Sequence, residues 1–87
     1  MAKTFKLEII TPEKVVYSDS VQSISADGTE GSFGILADHA PLITELKTSI
    51  LTVNDANNRT IRLAIYRGFL EVMANNVVVL SDVCVKE

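Results

Sequence analysis

The stretch "TIRLAIYRGFLEVMANNVVVLSDV", Thr60 to Val83, decides the fold. Ile61, Leu63 and Ile65 alternate with polar or small neighbours, so an extended chain here has one apolar side and one wet side. Arg67-Gly68 breaks the alternation and "FLEVMA" resumes it. That run meets Asn75-Asn76, which tolerate left-handed backbone, and an apolar segment follows; the pair predicts a hairpin with a tight Asn-Asn turn. In "VVVLSDV" both parities are apolar, Val77 and Val79 on one face, Val78 and Leu80 on the other. A strand apolar on both faces is usually buried on both. In a two-layer domain only the inner face meets the core, so part of the outer face is expected to pack on another chain, the alternative being cover by a loop.

Period two extends outward from this stretch. Phe5, Leu7 and Ile9 alternate with Lys6 and Glu8, and "SILTV" runs into the turn residues "NDANN". "KVVYS" and "VQSISA", separated by Asp19-Ser20, predict a short hairpin-like pair. "APLITEL" is the one ambiguous segment, where Leu42, Ile43 and Leu46 fit a single helical turn after Pro41. Many short strands with turn signals between them predict one all-β domain over residues 1–87, a two-sheet sandwich or barrel. A chain of 87 residues buries roughly 60% of its unfolded surface, so its core is thin.

Composition narrows the function classes. The net charge is −3 with acids and bases scattered, which argues against nucleic acid or an anionic membrane surface as a partner. No apolar run approaches the ~18 residues of a spanning helix, and "MAKTFKLEII" has no signal-peptide core, so the chain reads as intracellular. Cys84 is the only cysteine and reads as a small buried hydrophobe.

The stretch "GTEGSFGILADHAPL", Gly28 to Leu42, holds three of the four glycines and the only histidine. His39 has no triad partner in view, and no Gly-x-Ser-x-Gly elbow occurs. The glycines follow G-x-x-G-x-x-G, which matches neither phosphate-binding pattern, and no lysine follows them. One histidine and one distant cysteine do not make a metal site. No catalytic residue, cofactor or metal is therefore expected. The glycines read as a wide loop with Glu30 exposed at its tip, where an acid can contact another protein.

Two blocks carry a resemblance. "EGSFGILADHAPLITEL" followed by "RGFLEVMANNVVVLSD" resembles the epsilon subunit of the bacterial and chloroplast F-type ATP synthase, called delta in mitochondria. The shared pattern is Glu-Gly-x-x-Gly-Ile-x-x-x-His-x-Pro, then Gly-x-x-x-Val-x-x-Asn-x-Val-x-Val-Leu, in order and at the family's spacing. The resemblance implies a flattened β-sandwich of about ten strands, in a non-catalytic rotor subunit that binds the gamma subunit and the c-subunit ring. It couples ion-driven rotation to ATP synthesis, and the implied location is peripheral, at the cytoplasmic face of the bacterial plasma membrane. Carried over by position, Glu30, Gly31 and Ser32 face the c ring, while Thr11, His39 and Thr44 face gamma. Val78 and Leu80, on the apolar outer face, join the gamma contacts. Two departures stand out. Arg67-Gly68 replaces the family's usual glycine pair, and the sequence reaches Glu87 without the family's helical hairpin and its Asp-x-x-Arg-Ala motif. The chain is thus expected to couple and anchor without an inhibitory arm. A free-standing β-sandwich that binds a peptide or small ligand is the competing reading.

Overall fold

The computed structural model describes residues 3–87, and all their regular structure is β. The strands are β1 (Phe5–Ile10), β2 (Val15–Gly28), β3 (Gly31–Leu36), β4 (Leu42–Leu46), β5 (Ser49–Asp55), β6 (Thr60–Met73) and β7 (Asn76–Lys86). β1 pairs β2, β2 pairs β5, β5 pairs β6 and β6 pairs β7, all antiparallel. β7 then returns to β1 in parallel, so these strands close into a ring. β3 extends the second half of β2, and β4 lies along the second half of β6, touching β2 only where Leu46 faces Gly28.

The ring is flattened into a sandwich of 33 × 24 × 20 Å because β2, β6 and β7 each cross from one sheet to the other. Sheet I holds β3, the second half of β2, β5, the first half of β6 and the end of β7. Sheet II holds the first half of β2, β1, the first half of β7, the second half of β6 and β4. The structure has seven strands, three of them serving both sheets, where the resemblance implies about ten.

A crossing strand must keep its apolar side toward the interior, so its inward parity changes at the crossing. In β6 the buried residues are Leu63 and Ile65 before Arg67-Gly68, then Leu70 and Val72 after it. In β2, Val21 gives way to Ile24 and Ala26, with the register shift between Val21 and Ser23. In β7, Val77, Val79 and Ser81 face inward, and after Asp82 it is Cys84 that packs on the core. Arg67 supplies the kink in β6 at φ 45, a left-handed conformation that costs a non-glycine residue about 1 kcal/mol. Gly68 is required for a different reason: a Cβ there would overlap the Leu80 carbonyl oxygen. The ladder opened by each kink is patched by a side chain. The Ser81 hydroxyl accepts from Tyr66 N at 3.2 Å and donates to Val83 O at 2.8 Å, and Gln22 Nε2 donates to Asp55 O at 3.1 Å.

Several local expectations change. Asp19-Ser20 is not a turn: both lie within continuous β2, exposed, opposite Leu7 and Lys6. A polar pair on an edge strand faces solvent without bending the chain. Leu42–Leu46 is strand β4 and not a helical turn, because β6 offers it a ladder along its whole length. The β6–β7 turn sits one residue early, at Ala74-Asn75 with φ 48 and 63, the positive pair of a type I′ turn. "GTEGSFG" is a hairpin closed by Thr29-Glu30, with Gly31 at φ 133, and not a wide loop. "NDANN" behaves as read, with the Asp55 carboxylate accepting from Asn57 N and Arg59 N at 2.9 and 2.8 Å.

The crossing gives a direct prediction. Gly68→Ala should lower unfolding free energy by more than about 3 kcal/mol, since backbone must separate from backbone. Ser81→Ala should cost about 1–3 kcal/mol by orphaning the Tyr66 amide. Urea titrations of each variant measure both; a near-neutral Gly68→Ala would show that the crossing does not need the close approach.

Candidate docking surface

Sheet alternation dictates what the outside of sheet II presents. Leu70 and Val72 are buried, so Phe69, Glu71 and Met73 point outward, as do Val78 and Leu80 beside them on β7. Cross-strand register sets these residues in rows. Ile10, Leu80, Phe69 and Glu45 form one row, and Glu8, Val78, Glu71 and Ile43 the next. Ile43 is 71% exposed, Met73 60%, Phe69 54% and Leu80 50%. Covering half of such a side chain contributes on the order of 1 kcal/mol, so the stripe can anchor a partner through several modest contacts. The row of Ile10, Leu80 and Phe69 lines a groove of about 440 Å³, together with Thr11, Glu45 and Asp82. A smaller apolar patch, Tyr66, Val83 and Val85, lies on sheet I beyond the crossing, where Arg67 stacks 5.8 Å from the Tyr66 ring centre.

The proposed contact residues fall into distinct places. Thr11, Leu80 and Val78 lie on this face: Thr11 lines the groove with Leu80 and opens the β1–β2 turn by donating its amide to Lys14 O at 2.9 Å, and Val78 sits in the next row. Val78 is half-buried between Glu8 and Glu71. Glu30 is exposed at the β2–β3 tip, and Gly31 and Ser32 follow it, the Ser32 hydroxyl donating to the Asp27 carboxylate. This hairpin is tied to the groove end of the face, because Thr29 N donates to Glu45 O at 3.1 Å. His39 lies at the opposite end. β4 starts opposite Val72 near His39 and ends opposite Gly68 near the tip, a run of about 13 Å at 3.3 Å per residue. Thr44 takes the inward parity of β4 with Leu42 and Leu46, half-buried, so its side chain is not on the face that shows Ile43 and Glu45.

The His39 loop is held by polar contacts that the sequence does not announce. Asp38, at φ 64, donates its amide to Asn75 Oδ1 at 2.6 Å, and Asn75 Nδ2 donates back to Asp38 Oδ1 at 2.9 Å. Lys3 Nζ pairs with the other Asp38 oxygen. The Lys3 hydrogen bond, then that of Asn75, holds the Asp38 carboxyl below the usual carboxylate range. His39 Nδ1 donates to Ala40 O at 2.7 Å. Burial pushes the Cys84 thiol up, as expected of a packing residue. Among the described residues no three His, Cys, Asp or Glu side chains group as metal ligands, and no helix is long and apolar enough to cross a membrane.

Residues 4–87 match the family described as ATP synthase, Delta/Epsilon chain, beta-sandwich domain. The chain belongs to that family. It is 45% identical over 82 residues to the ATP synthase epsilon chain of Desulforamulus reducens, covering 94% of this chain and 61% of that one. It is 48% identical over 82 residues to the epsilon chain of Carboxydothermus hydrogenoformans, covering 94% and 60%. The chain thus spans about three fifths of the length of these relatives. The fold recurs in the cryo-EM structure of Euglena gracilis mitochondrial ATP synthase (OSCP/F1/c-ring), with TM-score 0.90 and 22% identity over 95% of this chain and 53% of that one. It recurs again in the central stalk/c-ring of the Tetrahymena thermophila enzyme, with TM-score 0.78 and 18% identity over 97% and 67%. Within this delta/epsilon family, the β-sandwich expected from the alternation is the fold found.

Sequence reasoning missed Ile43, Phe69 and Met73 on the outer face. The signal for Phe69 and Met73 was present in "FLEVMA", where inward Leu70 and Val72 leave them outside. Phe69→Asp and Leu80→Asp should therefore leave the domain folded, with midpoints within about 1 kcal/mol of wild type, because both sites already see water. Val79→Asp, on the buried parity of the same strand, should abolish folding by burying an unpaired charge. Circular dichroism melts separate the two classes. Since its folded pKa is depressed, Asp38 contributes stability that is present above its unfolded pKa and is lost only as pH falls through the lowered folded pKa. A carboxyl-carbon NMR titration should show Asp38 protonating at lower pH than an ordinary aspartate.

Proposed function

We propose that this chain is a non-catalytic central-stalk subunit of an F-type ATP synthase, docking on gamma through the outer face of sheet II. The observation that carries the reading is the apolar stripe of Ile43, Phe69, Met73 and Leu80 on a domain of the delta/epsilon family. Residues of this kind on a small domain find their cover in a partner. The tip bearing Glu30, Gly31 and Ser32 extends from the groove end of that face and is the contact to the polar loops of the c ring. Val78 and Leu80 belong to the gamma contact directly, and Thr11 borders it in the groove. His39 closes the far end, and Thr44 acts from within β4 by setting how Ile43 and Glu45 are presented.

In this role the domain does no chemistry. It links two partners, gamma and the c ring, and transmits their rotation, remaining peripheral to the membrane on the bacterial cytoplasmic side. No cofactor or nucleic acid enters. The closed ring of strands suits the task, since load placed on the tip passes through continuous ladders to the docking face.

Two variants test the two contacts separately. Phe69→Asp should weaken binding to purified gamma about 10- to 100-fold, the effect of desolvating a charge in an apolar contact. Glu30→Lys should leave gamma affinity unchanged while reducing ATP-driven ion pumping in reconstituted membranes. Unaltered gamma binding by Phe69→Asp, read by calorimetry on the folded variant, would remove sheet II as the docking face.

A further inference from the structure

The β3–β4 loop carries the chain from sheet I to sheet II, and Asp38 sits within it at φ 64. Across from it Asn75, at φ 63, occupies the turn that ends β6. These two left-handed residues bond each other reciprocally, 2.6 Å from the Asp38 amide to Asn75 Oδ1 and 2.9 Å from Asn75 Nδ2 to Asp38 Oδ1. Asn75 O also accepts from Lys6 N at 2.9 Å, and Lys3 pairs with Asp38. Three segments far apart in sequence are thereby joined at one point, next to His39 and next to Met73 at the end of the apolar stripe.

All of these groups except half-buried Asn75 are exposed, so the contacts contribute little to global stability. What they fix is position. In the loop between Leu36 and Leu42, Ala37 packs on the core, and these contacts fix the part of the loop that follows it. We infer that Asp38 and Asn75 form a positioning clamp, which holds His39 and the adjoining end of the sheet II face in the geometry that gamma binds. The inference rests on the docking reading above and adds polar residues that belong to neither the core nor the stripe. Order established before association is not lost during it, so a clamp of this kind raises affinity without making a new contact.

The experiment uses the full chain and purified gamma. Asp38→Gly and Asn75→Gly each keep a backbone suited to positive φ and remove the clamp side chain. Each should leave the melting temperature within about 5 °C of wild type and raise the Kd for gamma about tenfold, and Asn75→Gly, which removes the acceptor Oδ1, should speed hydrogen exchange at the Asp38 amide. The double variant should bind no more weakly than either single one, the mark of a pair that acts as a unit. Wild-type affinity in both single variants, or independent losses that add in the double variant, would overturn the clamp while leaving the docking face standing. Absence of gamma binding by the wild-type chain would instead overturn the docking reading and the clamp with it.

Discussion

The contact between Gly68 and the backbone of Leu80 is the constraint on which the architecture depends. A domain this small cannot fill two separate sheets with separate strands, so β2, β6 and β7 serve both. Each must bend without turning its apolar side outward. At the β6–β7 corner this requires backbone against backbone, since any Cβ at position 68 would strike the Leu80 carbonyl. The kink then leaves amide groups out of the ladder, and the Ser81 hydroxyl takes them up. The burial of Ser81, which with Asp55 is polar among the buried residues, is explained by this corner.

The same corner shapes the outer surface. Because inward parity changes there, Phe69 and Leu80 emerge on sheet II, while Tyr66 and Val83 emerge on sheet I. The groove of Ile10, Leu80 and Phe69 is the hollow left beside the bend. The β2–β3 tip reaches the same end through Thr29 and Glu45, so the exposed acid and the groove share one rigid support. His39 stands at the other end because β3 and β4 belong to different sheets and the loop between them must cross over.

Alternation made the strands legible: the buried parity of β1 and β5 follows it residue by residue, and in β6 it does so on each side of Arg67-Gly68. What alternation does not distinguish is a kink from a turn. Arg67-Gly68 and Asp19-Ser20 both interrupt the pattern, yet the first bends a continuous strand and the second is an exposed stretch of one. The difference lies in cross-strand partners, which a local reading does not contain. The face proposed for docking was half legible. Val78 and Leu80 announced themselves by apolar residues on both parities, whereas Phe69 and Met73 were hidden because "FLEVMA" also holds two core residues. The Asp38–Asn75 pairing had no local signal, since its members are 37 positions apart.

The apolar face of sheet II is compatible with a stable isolated domain because its residues are supernumerary to the core. Leu7, Ile9, Leu70, Val72, Val77 and Val79 already close the interior beneath it. Ile43, Phe69, Met73 and Leu80 stand on the other side of the same backbone, already in contact with water, so changing them should have little effect on folding. Glu8, Glu45 and Glu71, interspersed among them, keep the uncovered face hydrated and oppose edge-to-edge or face-to-face pairing of like copies. The face proposed for docking therefore combines apolar side chains that a partner could cover with carboxylates that repel a like copy.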